Sequence, residues 1–160
     1  MRDFGSTPAP ISSWIMGMHM ESLGVRMERH CANALAVARW LDADSRISWV
    51  SYPGLEGDKY HALAEKYMPN GTCGVISFGV PGGREKVSAF LDHLKMVSIA
   101  THVADARSCT LYPAGTTHRQ LTDEQLEEAG VGIDLVRLSC GIENAADIIA
   151  DLDQALASIQ

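Results

Sequence analysis

An arginine in the middle of a strand-like run is the first residue of this chain whose type and setting suit chemistry. Arg137 sits in Asp134-Leu-Val-Arg-Leu-Ser-Cys140. Side chains alternate along a strand, so Leu135 and Arg137 point one way and Val136 and Leu138 the other. A guanidinium held on a rigid strand suits bidentate capture of a carboxylate. Buried without a partner it is costly. Taken alone, the run reads as an edge strand whose arginine is merely solvated. The polar turn Gly115-Thr-Thr-His118 lies one short helix upstream, close enough in sequence to fold back beside it.

Other reactive residue types are present without the spacing that chemistry needs. Cys31, Cys73, Cys109 and Cys140 are far apart and form no C-x-x-C pair, which argues against a zinc or redox site and for reduced thiols in a cytosolic setting. Cys140 follows Ser139 with no His/Asp constellation and reads as an inert buried thiol. His19, His30, His61 and His93 lack metal-ligand spacing. His118 can titrate near neutral pH, but no acid–base partner is evident, so it reads as a helix-entry or packing residue. Lys59, Lys66 and Lys86 read as solvated charges, because a nucleophilic lysine must be desolvated or specially placed. Glu21, Glu28 and Arg26 read as surface or inter-domain ion pairs.

These residues need elements to hold them. A chain of 160 residues, 46% hydrophobic and 21% charged, is the size of one globular domain. A net charge of −7 argues against a nucleic-acid or anionic-membrane partner, which would want a basic patch. Nothing is long and apolar enough for a membrane span. Residues 1–11, with Gly5, Pro8 and Pro10, are expected to be irregular. From Ser12 to about Leu41 the pattern predicts one long helix, capped by Ser12 or Ser13. Its first half is apolar on several faces (Trp14, Ile15, Met16, Met18, Met20, Leu23), which calls either for adaptable core packing or for another domain or subunit.

Strands are expected at Ile47–Tyr52, Cys73–Val80, Met96–Ala100, Cys109–Tyr112 and Asp134–Cys140, the second of them buried and central. Helices are expected at Tyr60–Met68 and Arg84–Leu94. Another starts at the capping box Thr122-Asp-Glu-Gln125 and ends at Gly130, and a last one is capped by Asn144. The fold class is therefore α+β: a mostly antiparallel sheet of four to five strands, covered by helices on one side, with a long N-terminal helix. No Gly-rich phosphate loop follows a first strand, so a dinucleotide fold is not supported.

Five segments carry a resemblance: Val25-Arg-Met-Glu-Arg-His30, Val50-Ser-Tyr-Pro-Gly-Leu55, Gly74-Val-Ile-Ser-Phe-Gly79, Tyr112-Pro-Ala-Gly-Thr-Thr-His118 and Val136-Arg-Leu-Ser-Cys-Gly-Ile-Glu143. In order and spacing they resemble the C-terminal domain of the pyridoxal phosphate (PLP)-dependent enzymes of Cys/Met metabolism, most of all the O-acetylhomoserine sulfhydrylase branch. The match runs from Arg2 onward, with residues 12–160 as the small domain of a fold-type I transferase. The resemblance implies a reaction in which PLP is the electron sink, acetate leaves O-acetylhomoserine and a sulfur nucleophile adds, giving homocysteine.

By the same resemblance, Arg137 clamps the substrate α-carboxylate, Thr117 stands beside that carboxylate, and His102 occupies a position usually Asn or Ser. Gly115 stands where the family commonly has Ser. Asp105 and Ser139 match structural positions. The Schiff-base lysine, the phosphate-binding residues and the aspartate on the pyridine nitrogen match nothing here, and Lys59, Lys66, Lys86 and Lys95 lack the family's lysine context. The chain by itself is therefore expected to bind no PLP, to hold no catalytic residue and to be inactive. The expected partners are O-acetylhomoserine or a related amino acid, and a PLP domain or further subunits docking on Trp14–Leu23 in a cytoplasmic homo-oligomer. The competing expectation is a catalytically inactive interaction or oligomerisation module.

Overall fold

The computed structural model describes residue 5 and residues 7–159. Part of the expected irregular segment, residues 1–4 and 6, lies outside the described residues. Helix α1 already begins at Pro10 and runs to Glu21. Proline suits this first position, because its ring presets φ and its missing N–H would be unpaired there in any case. The N-cap is Ala9, not Ser12 or Ser13.

The single long helix expected from the pattern is in fact two. Ser22 departs to φ −96°, ψ 1°, and α2 spans Leu23–Asp42. Arg26 braces the joint, donating to the His19 carbonyl at 2.7 Å and to the Ser22 hydroxyl at 3.3 Å. Among the described residues it pairs with no carboxylate within the chain. The two halves also differ in burial. α1 buries none of its residues, whereas α2 buries His30, Asn33, Ala34, Val37, Ala38 and Leu41 along one face.

Five strands form one mixed sheet: β1 (Val50–Ser51), β2 (Val75–Gly79), β3 (Ser98–Ile99), β4 (Cys109–Leu111) and β5 (Leu135–Ser139). Their order is β1-β2-β5-β4-β3. All neighbours are antiparallel except the β3–β4 pair, which is parallel. The Arg137 strand, which by itself reads as an edge, is thus the middle strand. The first strand is shorter than its β-branched pattern predicts. Ahead of it the pairing with β2 continues at one residue, Ser48 N–H donating to Gly79 O at 3.0 Å and Trp49 O accepting from Gly79 N–H at 2.9 Å, and the Asp134 carboxylate accepts from the Ser48 hydroxyl at 3.1 Å and from the Trp49 indole N–H at 3.0 Å.

Alternation sorts the two sheet faces. Ile76, Phe78, Val136 and Leu138 are fully buried under helices, and Phe78 meets Phe90 edge-on at 6.1 Å. Val75, Ser77, Leu135 and Arg137 point to the other, open face and are half-buried. The covering helices are α2, α4 (Gly83–Asp92) and α6 (Ala145–Ala157). From α6, Ile148, Leu152, Ala155 and Leu156 enter the core. Their spacing of three and four residues places them on one stripe.

The short elements end where their side chains dictate. The capping box at Thr122 is complete: Gln125 N–H donates to the Thr122 hydroxyl, and the Gln125 side chain accepts from Thr122 N–H. Gly130, at φ 70°, ends helix α5 (Asp123–Glu128) in the left-handed conformation that suits glycine. Helix α3 covers His61–Tyr67.

Candidate functional site

Arg137 stands on the open face of the central strand, in register with Ser77 on β2 and Leu111 on β4. Its guanidinium donates to the Thr101 carbonyl at 3.1 Å. Among the described residues no carboxylate pairs with it. Three other arginines behave differently: Arg46 is held between Asp44 and Asp153, Arg84 pairs with Asp123, and Arg107 reaches Asp105.

The loop that offers Thr101 is pinned over this face by two side chains of the ladder. Cys109 and Ser139 are register partners. The Ser139 hydroxyl accepts from Ala104 N–H at 3.1 Å, and the Cys109 thiol donates to the His102 carbonyl at 3.1 Å. Ala104 is the one non-glycine residue with positive φ among those described, at 58°. A Cβ crowds the backbone there, which costs roughly 1–2 kcal/mol, so the two hydrogen bonds hold the loop in a shape it would not choose alone. Sequence reading took Ser139 as structural and gave no sign that its partner is this loop.

His102 itself is exposed and takes part through its carbonyl. Thr117 is exposed too, with its hydroxyl 2.9 Å from Nδ1 of His118, so that histidine does have a polar neighbour. No hydrogen bond joins Thr117 or His102 to Arg137 among the described residues. The turn that carries Thr117 follows β4 directly as a short 3-10 segment, Pro113–Gly115. The Thr116 hydroxyl donates to the Tyr112 carbonyl at 2.6 Å, and His118 N–H donates to Pro113 O at 2.9 Å. Gly115 has a local reason: a Cβ there would lie 2.5 Å from the Tyr112 ring. That ring is anchored by its hydroxyl, which donates to Ile133 O at 2.9 Å.

Beyond Arg137 the chain enters a buried polar knot. Glu143 accepts from Ser108 N–H at 2.5 Å and from the Ser108 hydroxyl at 3.0 Å, while Gly141 N–H donates to that hydroxyl at 2.9 Å. From α2, Asn33 donates to the carbonyls of Gly141 and Glu143 at 2.9 and 2.7 Å. His30 Nδ1 lies 2.6 Å from Cys140 O, and because a carbonyl only accepts, the proton is on Nδ1. The two segments 25–30 and 136–143, far apart in sequence, are thus mutual partners. Cys140 is sealed inside, and burial pushes its thiol up to about 12.

Gly141 has no room for a side chain. An added Cβ would stand 2.3 Å from a Glu143 carboxylate oxygen, 2.5 Å from Ala106 O and 2.6 Å from the Arg107 carbonyl carbon. Two of these are backbone atoms and cannot swing aside. Gly141→Ala is therefore expected to destabilise the fold by about 1–3 kcal/mol, read as a lower urea midpoint. Gly17→Ala, where nothing lies within 4 Å of an added Cβ, is the matched control.

The lysines do not approach this site. Lys59 and Lys66 lie over the rings of their neighbours Tyr60 and Tyr67, at 4.8 and 5.0 Å. Lys86 packs against Gly82 on α4, and the side chains of all four lysines are exposed. None is desolvated in the way that forming a Schiff base with an aldehyde cofactor requires. Carboxylate recognition fits the residues present; covalent attachment of PLP does not.

A central-strand arginine thus faces the open side of the sheet, with a loop and a 3-10 turn folded beside it. Residues 1–157 match the family of Cys/Met metabolism PLP-dependent enzymes, and the chain belongs to that family. It is 44% identical over 160 residues to the O-acetyl-L-homoserine sulfhydrylase of Leptospira meyeri, covering 99% of this chain and 36% of that protein. It is 45% identical over 156 residues to the homocysteine synthase of Schizosaccharomyces pombe, covering 98% and 36%. A solved Campylobacter jejuni chain, described as an O-acetylhomoserine (thiol)-lyase carrying a pyridoxyl-lysine phosphate residue, superposes with a TM-score of 0.88 at 38% identity, over 98% of this chain and 37% of that one. The chain therefore spans little more than a third of the length of the relatives it matches.

Proposed function

We propose that this chain is the C-terminal, substrate-carboxylate-binding part of a PLP-dependent O-acetylhomoserine sulfhydrylase. The observation that carries the reading is Arg137: a fixed guanidinium on the open face of the central strand, held by one backbone carbonyl and by no carboxylate among the described residues. An amino-acid α-carboxylate fits such a fork, and exchanging a neutral carbonyl for an anion strengthens the contact. Thr117 and the loop at His102 would flank the carboxylate. PLP, when bound, supplies the electron sink, and its lysine would come from polypeptide outside these 160 residues.

The test uses the whole polypeptide that carries both this domain and the PLP lysine. With purified enzyme, O-acetylhomoserine and sulfide should give homocysteine, and the activity should fall when Arg137 is altered. Full activity with Arg137→Ala would overturn the reading. A second check is the absorbance of this 160-residue chain after mixing with PLP and gel filtration. The expected outcome is no retained PLP band.

Helix α1 supports the other half of the reading, a docking partner. Ile11, Trp14, Met16, Met18 and Met20 are each at least half exposed, an apolar surface that water covers poorly. In the full enzyme the PLP domain or a neighbouring subunit would cover it. The same surface serves the competing reading, a catalytically inactive oligomerisation module. The isolated chain is expected to self-associate in sedimentation at high concentration. Trp14→Glu together with Met18→Glu should shift it towards monomer with little change in thermal midpoint, because neither side chain is buried in the core. A compact monomer in the unaltered chain would remove this role from α1.

A further inference from the structure

The loop between β3 and β4 buries nothing of its own. Residues 101–104 are exposed and Asp105 is half-exposed, so no side chain of the segment reaches the core. Both ends are tied: Ala100 N–H donates to Thr110 O at 2.9 Å, and Ala106 O accepts from Ile142 N–H at 2.9 Å. Between these ties Asp105 accepts only from its near neighbour, Arg107 N–H, at 3.0 Å. Among the described residues, three hydrogen bonds join the rest of the segment to the sheet: Ala104 N–H to the Ser139 hydroxyl, the Cys109 thiol to His102 O, and Arg137 to Thr101 O, each at 3.1 Å.

One of those three bonds is made by the arginine of the candidate site, and the other two decide what it meets. Ser139 lies two residues along β5 from Arg137, on the same face of the strand. Leu135 and Arg137 on that face are half-buried, but Ser139 is 2% exposed, with the loop against its hydroxyl. Its register partner Cys109 is 4% exposed. Ala104, at φ 58°, is in a conformation that a Cβ disfavours, so the segment relaxes once its anchors are removed. The group that moves with it is the Thr101 carbonyl.

We propose that Ser139 and Cys109 are positioning residues for Arg137, acting through this loop. They hold the Thr101 carbonyl where it fixes the guanidinium in one orientation before a carboxylate arrives. The inference rests on the carboxylate-binding reading of Arg137 and deepens it. A guanidinium is planar and its donors form a rigid fork, so its orientation decides whether an anion is met by two N–H groups or by one. Giving up the bond to Thr101 O costs about as much as giving up a bond to water, so the loop contributes mainly order. An arginine fixed in advance loses less conformational freedom on binding than one that must be ordered by the ligand. With either anchor removed, Arg137 keeps its charge and its place on β5 but no longer its fixed orientation.

The experiment is a double-mutant cycle in the whole polypeptide that also carries the PLP lysine, with O-acetylhomoserine and sulfide as substrates. Ser139→Ala and Cys109→Ala should each raise KM for O-acetylhomoserine about three- to tenfold, with kcat and the KM for sulfide little changed. Cys109→Ser, whose hydroxyl can still donate to His102 O, should restore most of the loss. In an Arg137→Ala background the same changes should add nothing, which separates positioning from a merely structural role. Hydrogen exchange followed by mass spectrometry supplies a readout independent of turnover: peptides covering residues 100–106 should exchange faster in Ser139→Ala, and those of the core helices should not. If Arg137→Ala raises KM and neither Ser139→Ala nor Cys109→Ala does, this inference alone is overturned. It is also overturned if they raise KM equally with and without Arg137, or if KM rises while exchange in the loop is unchanged. If Arg137→Ala itself leaves KM unaltered, the carboxylate reading falls and this one with it. Should Ser139→Ala fail to fold, the Cys109→Ala and Cys109→Ser pair runs the same cycle.

Discussion

If the proposed sulfhydrylase reading holds, replacing Arg137 by alanine in the polypeptide that also carries the PLP lysine is expected to lower kcat/KM for O-acetylhomoserine by about one to two orders of magnitude. A hydrogen bond to a charged group contributes roughly 1.5–3 kcal/mol, and each 1.4 kcal/mol is about tenfold. The loss should appear mainly as a raised KM, because the carboxylate is bound both before and during the reaction. Arg137→Lys keeps the charge but not the planar fork, so it should recover only part of the loss. The fold should survive both changes, since the guanidinium faces the open side of the sheet and makes one bond, to Thr101 O. Arg119→Ala, an exposed arginine on the nearby turn, should change little. If Arg137→Ala matches the unaltered enzyme at low substrate, another group binds the carboxylate.

The second large effect concerns Asp151 and is read in stability. Asp151 on α6 is 6% exposed, and its carboxylate accepts three consecutive backbone N–H groups: Lys95 at 2.9 Å, Met96 at 2.9 Å and Val97 at 2.8 Å. Burial pushes this carboxyl up, but the donors from Val97, Lys95 and Met96, with Gln154, outweigh it and hold the group below the usual carboxylate range. Asp151→Ala leaves these N–H groups without their acceptor, and each orphaned buried donor costs about 1–3 kcal/mol. A loss of about 3–4 kcal/mol is expected in urea unfolding, and it should loosen β3 and the Thr101 loop that follows it.

The pH dependence has a definite sign. A carboxyl with a depressed folded pKa contributes stability that is fully present above its unfolded value, about 3.9. That stability disappears as pH falls through the lower, folded value. The urea midpoint of the unaltered protein should therefore drop below about pH 4, and Asp151→Ala should show a flatter profile over the same range. Identical acid profiles for the two proteins would show that the contact adds nothing at neutral pH.

Much of the local structure follows from short-range signals. Thr122 and Gln125 form the capping box their spacing calls for, Gly130 ends the helix, and Asn144 caps the last one, its side chain accepting from Ala146 N–H. Such caps act within one turn of chain, so their signal is legible without knowledge of distant residues. The alternation Leu135/Arg137 against Val136/Leu138 holds for the same reason. The helix break at Ser22 was less legible. It depends on how Arg26 reaches back to His19 and Ser22, and apolar periodicity carries no sign of that.

What the sequence by itself determined is the strands and the helices after the first, the one-sided burial of the sheet and the family. The five matching segments share an order and spacing that local physics does not need but a common fold does. Only the tertiary structure decided that Arg137 stands on the central strand rather than an edge, because strand order depends on pairings between residues far apart in sequence. Only it placed Ser139 and Cys109 under the Thr101–Ala104 loop, joined His30 and Asn33 to the turn after Cys140, and set Cys31 against Gly71. Each of these contacts is too short-ranged to be felt along the chain. They exist because burying the apolar faces of β2, β5, α2 and α6 brings remote residues together, and their polar groups, once out of water, must find partners there.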